Sequence, residues 1–309
     1  MNTDKKLYEI IDTTEWKPGG HFHPRRPELY PIVKDGHGNK YINKLPSRLS
    51  RSREMIVTKA CKVANFDAVD NHFGYNKDKK LATLISPKLP YEIEPLEPHL
   101  LPLYKDKDKQ TTNTNLRELI AHHPHFNDKF KSRLVDEFLL RMLFNDKDSC
   151  FSRNISVKCT ENKHMSFYSN SLTAVHSPEL ELTASYDFNS CLTEDEDANL
   201  NRNSTARKNL EFIRKHYPQN AEKFFADFLF DNATLDELFD MTGTPREWLV
   251  LAGQIPTFKG DRDHRQYTEL LSVSARHQFK QNLSFMKGGK AKWKTNFTKL
   301  LTSLNGNEK

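Results

Sequence analysis

Two segments in the middle of the chain carry side chains suited to holding a divalent cation. The first reads LFNDKDSCFSRNI and contains Asp148 and Asn154, and the second reads ELTASYDFNSCL and contains Asp187. Carboxylate and amide oxygens are ligands that Mg²⁺ accepts where phosphates are handled. We therefore expect Asn154 and Asp187 to be the metal ligands and Asp148 to orient a hydroxyl that attacks a phosphate.

A cation for the phosphates of a nucleotide lies in the first third of the chain. Lys44 ends a predicted strand, and Glu54 lies on the helix that is predicted to follow. Phosphoryl transfer needs a positive charge on the nucleotide phosphates, and a helix carboxylate can hold such a lysine in place. Along the sequence there follow, in this order, a lysine that could bind nucleotide phosphates, a carboxylate that could orient a hydroxyl, and two possible metal ligands.

The elements around these residues are strand-rich in the first 103 residues, where prolines and glycines recur and favour short strands and turns. The stretch from Tyr30 to Leu45 predicts two strands joined by a glycine turn. Ser52 is placed to cap a helix. A strand at Lys79–Ile85 leads into a proline-rich passage, which we interpret as a hinge between two lobes.

From about residue 104 the hydrophobic pattern is helical, with a strand-like island between about residues 155 and 186. The predicted helices are Leu116–His122, Asp128–Phe144, Ala206–Tyr217, Ala221–Phe230, Leu235–Met241, Pro245–Leu251 and Gln266–Phe285. The order of elements predicts an α+β fold of two lobes. A strand-rich amino-terminal lobe would span residues 1–103 and a mostly helical carboxy-terminal lobe residues 104–309.

With these residues in this order, the chain resembles the HipA-like kinases, a protein-kinase-like family that includes short serine/threonine kinases of bacteria. A family motif of the form Y-x-V-K-F-P is matched by Tyr41–Pro46, and the opening of the next helix by Ser52–Glu54. The catalytic loop is matched by Asp148–Asn154 and the metal strand by Ser185–Leu192. The resemblance implies transfer of the γ-phosphate of ATP, assisted by Mg²⁺, to a hydroxyl of a protein substrate.

The same resemblance implies further contacts with ATP. Gly19 and Gly20 would form the phosphate loop. Leu84 and Ile85 would open a hinge, extending to Leu89, whose backbone groups face the adenine ring.

The spacing of the catalytic loop leaves one choice open. The family usually places the metal-binding asparagine five residues after the catalytic aspartate, whereas Asn154 follows Asp148 by six. Asp146 is therefore an alternative to Asp148 as the catalytic aspartate.

Composition limits the compartment and the partners. The amino terminus lacks the apolar core of a signal peptide, and no run approaches the roughly 18 apolar residues that span a bilayer. We expect a cytoplasmic protein, or a secreted effector without a cleavable signal peptide, with no membrane partner. The net charge of +6 comes from interleaved basic and acidic residues, so nucleic-acid binding is not expected. The cysteines (Cys61, Cys150, Cys159 and Cys191) form no CxxC pair, which favours reduced thiols.

Two functions remain open at this point. The first is an active kinase, which in HipA-like families often acts as a toxin or effector and would have an antitoxin or host partner. The alternative is a catalytically dead kinase-like module that binds a nucleotide or a protein, for example through its basic tail at Lys287–Lys299. Incubation with labelled ATP separates an active kinase from an inactive module.

Overall fold

The computed structural model describes residues 10–21, 31–44, 48–79, 81–91, 93–96, 116–122, 126–146, 155–158, 181–188, 191–192, 204–239 and 275–288. They form a mixed α+β fold. The strands are β1 Ile10–Asp12, β2 Lys17–His21, β3 Pro31–Lys34, β4 Lys40–Lys44, β5 His72–Asn76, β6 Leu81–Pro87, β7 Ile93–Pro95 and β8 Ser156–Lys158. The helices are α1 Arg48–Val63, α2 Leu116–His122, α3 Asp128–Leu143, α4 Ser204–His216, α5 Pro218–Asp227, α6 Asn232–Phe239 and α7 275–286.

A six-stranded sheet in the order β1-β5-β6-β4-β3-β2 dominates the first part of the chain. All its neighbouring strands are antiparallel except β1, which pairs in parallel with β5. The predicted hairpin is confirmed as β3 and β4. Its turn is closed by the Asp35 carboxylate, which accepts hydrogen bonds of 2.9 Å from the backbone N–H groups of His37 and Asn39. Strands β7 and β8 form a separate two-stranded sheet.

Helix α1 supplies the apolar face that packs with the sheet. It begins at Arg48, so the prediction that Ser52 caps it is wrong by about one turn. The last strong helix breaker before it is Pro46, and the residues that follow are compatible with helix, which lets the helix start earlier. Its buried apolar side chains share one core with Phe73 of β5 and Leu84 of β6. They are Met55, Ile56, Val57, Ala60 and Cys61.

Helix α3 is central to the helical part, where it contacts α2, α4 and α5. The prediction of Asp128–Phe144 is confirmed, with Phe144 as the C-cap residue. The helices predicted at Leu116–His122 and in the region 204–239 are also confirmed, with shifted ends for the latter. The helix predicted at Pro245–Leu251 lies outside the described residues, and the last predicted helix is seen over 275–286. None of the helices in the described ranges is long and apolar enough to cross a membrane.

The N-cap of α3 provides a test of local stability. The Asn127 side chain accepts a hydrogen bond of 2.8 Å from the backbone N–H of Phe130. We expect Asn127→Ala to lower the free energy of unfolding by about 1 kcal/mol, because this N–H would lose its partner. Thermal unfolding measures the loss, and Asn127→Asp, which can cap the helix equally well, should melt like the wild type. Equal melting of the alanine and aspartate variants would contradict this assignment.

The contact between α3 and α5 makes stability depend on pH. Asn220 of α5 donates hydrogen bonds to Asp136 (3.1 Å) and to the Ser132 hydroxyl (2.7 Å) of α3. Burial raises the pKa of the Asp136 carboxyl above its ordinary value, although the hydrogen bond from Asn220 opposes the shift. A raised pKa in the folded state means that this group favours folding when protonated, and that this stability is lost as the pH rises through the raised pKa.

We therefore expect Asp136→Asn to melt above the wild type at pH 7, because the asparagine remains neutral and its side-chain oxygen still accepts from Asn220. The difference should shrink as the pH falls towards about 4, where the wild-type carboxyl becomes protonated. Melting curves of both proteins between pH 4 and 7 test this. A difference that does not depend on pH would contradict the assigned titration of Asp136.

Candidate functional site

Strand β4 and helix α1 bring Lys44 and Glu54 together. The Lys44 Nζ atom lies 2.6 Å from Oε1 of Glu54, so the expected ion pair is present. The Glu54 side chain is 1% exposed and that of Lys44 is 13% exposed. A carboxylate at this depth is costly without a compensating charge, which the lysine supplies. The lysine side chain remains partly accessible from outside.

Two further buried side chains hold Glu54 in place. Asn71 donates a hydrogen bond of 3.0 Å to Glu54 Oε1, and the Ser86 hydroxyl donates one of 2.6 Å to Asn71 Oδ1. Lys44 pairs with Leu84 across the sheet, and residues two apart on a strand share a face, so Ser86 lies on the face that carries Lys44. This chain of hydrogen bonds orients the carboxylate and, through it, the lysine.

Leu84 and Ile85 lie in the middle of β6, which has a neighbouring strand on each side. Leu84 pairs with Lys44 and with β5, and Ile85 with Asn43 and with β5, so their backbone groups belong to the sheet ladders. Both side chains are fully buried, and alternation places Ile85 on the face opposite Lys44. A hinge with backbone groups open to a ligand would therefore begin beyond Pro87.

Gly19 and Gly20 lie on strand β2. The pairing with β3 is irregular between Pro18 and Gly20, and Gly20 has a φ of +114°, a conformation that glycine adopts without steric cost. A Cβ atom on Gly19 would lie 3.0 Å from Cγ2 of Ile32, so glycine permits close packing there. Residues 22–30, which connect β2 to β3, are outside the described ranges, and the phosphate-loop role of the two glycines stays a prediction.

The segment that leads to Asp187 is held from two sides. Leu182 forms an antiparallel bridge with Val157 of β8, and Ser185 forms a parallel bridge with Ala68. The backbone N–H of Val69 donates to the carbonyl of Ser185 at 2.9 Å. The predicted strand-like island is thus confirmed in this part as bridges between the β8 sheet and the loop after α1.

Asp187 has an unusual backbone conformation. This residue is half-buried and has a φ of +59°, in the left-handed region, which aspartate tolerates better than most side chains. Phe188, the next residue, is fully buried. Asp187 therefore lies at the end of the held segment, two residues after the bridge at Ser185.

One loop connects the lysine pair to this segment. Asn71, which bonds Glu54, is two residues after Val69, which bonds Ser185. Ser185 is in turn two residues before Asp187. The Lys44–Glu54 pair and the Asp187 segment are therefore tied to each other through the loop between α1 and β5.

Asp146 follows α3, and its side chain is fully buried against Arg141, with Nη1 of the arginine 2.5 Å from Oδ2 of the aspartate. Asp148 and Asn154 lie outside the described residues, so their expected roles stay predictions. The choice between Asp146 and Asp148 is likewise untested.

Arg141 was not among the residues singled out from the sequence, yet it touches several parts of the site. It donates through Nε to Glu137 (2.8 Å) on its own helix and through Nη2 to the carbonyl of Tyr186 (3.2 Å). Its guanidinium lies over the ring of Phe188, 5.4 Å from the centroid. Burial would lower the pKa of Arg141, but Glu137 and Asp146 beside it raise it above its ordinary value, so the arginine is charged.

Arg133 adds a second contact from α3 to the same segment. Its Nη2 donates to the Ser185 hydroxyl (2.8 Å) and to the carbonyl of Asp67 (2.6 Å), and the Ser185 hydroxyl donates to Glu137. Arg133, Glu137 and Arg141 follow one another at intervals of four residues, hence on one helix face. The sequence does indicate this network, because Glu137 and Arg141 lie in the mostly apolar run VDEFLLRML and charges on a buried helix face need partners.

Within the described part of the chain, no group of three or more His, Cys, Asp or Glu side chains is placed to hold a metal ion. Mg²⁺ in nucleotide sites is commonly held by one or two carboxylates together with phosphate oxygens and water. The half-buried carboxylate of Asp187 fits that requirement.

Two of the cysteines can be placed. Cys61 and Cys191 are both unbridged and fully buried, and burial raises the pKa of each thiol above its ordinary value. The expectation of reduced thiols is confirmed for these two, while Cys150 and Cys159 lie outside the described residues.

Comparison with known proteins identifies solved structures with a similar fold. No protein-family model and no curated protein matches the chain. The solved structure of the proinflammatory kinase CtkA of Helicobacter pylori is similar, with a TM-score of 0.54 and 10% identity, over 91% of this chain and 99% of that chain. HipA of Shewanella oneidensis MR-1, solved with HipB and operator DNA, gives a TM-score of 0.44 and 11% identity, over 88% of this chain and 68% of that chain. The chain therefore shares the fold of the Helicobacter pylori kinase, and the resemblance to kinases predicted from its sequence is confirmed at the level of the fold.

Proposed function

We propose that this protein is an ATP-dependent serine/threonine protein kinase of HipA-like type. Its two lobes would be residues 1–103 and 104–309, with ATP bound between them. The observation that carries the proposal is the buried Lys44–Glu54 ion pair on the face of the sheet that packs against α1. A lysine held in this way is the feature that phosphoryl transfer requires for the nucleotide phosphates.

The construction of the pair supports a positioning role. Exposed ion pairs contribute little to stability, and buried ones often contribute no more than apolar residues of the same size. Here Glu54 is held by Asn71, and Asn71 by Ser86, so several buried polar groups are devoted to the orientation of one lysine. Such an arrangement is expected where the position of a charge matters for binding.

The remaining roles follow the order of the residues. Asp187 and Asn154 would hold Mg²⁺, which when bound offsets the negative charge on the phosphate oxygens. Asp148 would orient the hydroxyl of the protein substrate, since the carboxylate of Asp146 is already buried against Arg141. Gly19 and Gly20 would lie near the phosphates, and backbone groups beyond Pro87 would face the adenine.

The test uses the full chain. We expect ATP with Mg²⁺ to raise the melting temperature, ATP with EDTA to raise it less, and γ-labelled ATP to label either the protein itself or an added protein mixture on serine or threonine. A shift without any labelling would favour the nucleotide-binding module without activity. If ATP causes no shift and no labelling is found, the proposed function is contradicted.

A further inference from the structure

We infer that Arg141 is a positioning residue that sets the place of Asp187 relative to the loop that follows α3. The inference rests on the proposed function, in which Asp187 holds the metal. It concerns how the chain keeps that carboxylate in place, because Arg141 lies on a different element from Asp187 and bonds the residue before it.

The guanidinium group bonds three parts of the chain at once. Its Nε donates to Glu137 on α3, Nη1 to Asp146 after α3, and Nη2 to the carbonyl of Tyr186. The donors of arginine are held in one plane, so partners that share one guanidinium are fixed relative to one another. Arg141 thereby ties the loop after α3 to the segment that ends at Asp187.

The bond to Tyr186 acts on the backbone of Asp187 directly. The carbonyl of Tyr186 and the backbone nitrogen of Asp187 belong to the same peptide plane. The angle φ of Asp187 describes rotation about the bond from that nitrogen to Cα. A φ of +59° is sparsely populated for residues other than glycine and persists where the surroundings hold it. Arg141 holds the plane by Nη2 and packs over Phe188 on the other side of Asp187.

Stability alone does not account for this arrangement. A buried arginine with two carboxylates is costly to desolvate, and apolar side chains in its place would often be as stable or more so. α3 is otherwise rich in buried apolar residues, among them Leu134, Phe138 and Leu139. A polar network that reaches the peptide next to the proposed metal ligand matches the outer-shell partners that orient ligands at metal sites.

The test replaces Arg141 by lysine. The lysine keeps the positive charge, but its single ammonium cannot reproduce the planar bonds to Asp146 and Tyr186 together. Arg214→Lys serves as a control, because the exposed Arg214 also donates to backbone carbonyls, those of Phe285 and Met286, and is on a different helix from Arg141. Loss of an outer-shell partner typically lowers metal affinity about 10–100-fold.

We expect Arg141→Lys to raise the Mg²⁺ concentration that gives half-maximal labelling by about tenfold or more, with a smaller change in KM for ATP at saturating Mg²⁺. Hydrogen exchange of the amides of residues 187, 188, 191 and 192 should be at least about tenfold faster in this variant, as expected when local opening becomes easier. Arg214→Lys should leave both readouts as in the wild type. If Arg141→Lys does not fold, Arg141→Gln combined with Asp146→Asn takes its place, because it removes both charges of the fully buried pair together.

The outcomes separate the inference from the proposed function. This inference is overturned, and the proposed function stands, if the wild-type protein labels but Arg141→Lys leaves the Mg²⁺ requirement unchanged. Unchanged hydrogen exchange at residues 187, 188, 191 and 192 has the same meaning. Equal effects of the Arg141 and Arg214 substitutions overturn it as well, since they indicate a general loss of stability. Wild-type protein that neither binds ATP nor labels contradicts the proposed function and this inference with it.

Discussion

Asp187→Asn is expected to reduce Mg²⁺-dependent transfer of phosphate from ATP by about a hundredfold or more while the protein stays folded. Removing a charged metal ligand affects the charge that develops in the transition state, which is worth several kcal/mol. Asparagine has the same shape as aspartate and tolerates the left-handed conformation seen at this position, so it adds little backbone strain. Alanine is the less suitable choice because it would add that strain.

The rate of labelling by γ-labelled ATP and the melting temperature are the two measurements. Asp231→Asn is the matched control, because the Asp231 carboxylate accepts from the backbone N–H of Thr234 at the start of α6 and asparagine caps helices equally well. It should label and melt as the wild type does. Labelling by folded Asp187→Asn within about threefold of the wild type would be incompatible with a metal-ligand role.

The second large effect is expected for Lys44→Met, which should lower kcat/KM for ATP by about a hundredfold. Two causes act together in this variant. The phosphates lose their cation, and Glu54, which is 1% exposed, loses its charge partner. The latter should lower the free energy of unfolding by on the order of 2 kcal/mol, although the bond from Asn71 remains.

A double variant separates these causes. Lys44→Met combined with Glu54→Gln leaves no unpaired charge at this pair and should recover most of the lost melting temperature, while kcat/KM stays low. Lys77→Met is the control for loss of a lysine ion pair on this sheet, because Lys77 pairs with Asp12 at the surface, where such pairs contribute little. Recovery of ATP use along with stability in the double variant would show that Lys44 has a structural role only.

Several elements were predictable because their determinants are close together in the chain. The β3–β4 hairpin follows from a turn whose aspartate bonds the backbone two and four residues later. Helix α3 follows from the apolar periodicity of its sequence and from its N-cap, Asn127, which accepts a hydrogen bond from the backbone N–H three residues later. The Lys44–Glu54 pair joins a strand end to the helix directly after it, ten residues along the chain.

Other features depend on which surfaces meet in space. Strand β1 adds to the sheet beside β5, and Ser185 bridges Ala68, in both cases across long stretches of sequence. Ser185 lies near the end of the predicted strand-like island, and the sequence of that island does not indicate its bridge partners, Val157 and Ala68. Just before Asp187, the carbonyls of Tyr186 and Ser185 accept hydrogen bonds from Arg141 of α3 and from Val69 of the loop after α1.

The sequence by itself predicted a strand-rich first part, a helical second part, the hairpin, and candidate residues for phosphate and metal binding, because periodicity, turns and caps act over a few neighbouring residues. The tertiary structure alone decided that Arg141 reaches the carbonyl of Tyr186, 45 residues away, and that Asn71 orients Glu54, 17 residues before it. Such bonds depend on the packing of whole helices and strands, which brings distant residues within hydrogen-bond distance and leaves no regular spacing in the sequence.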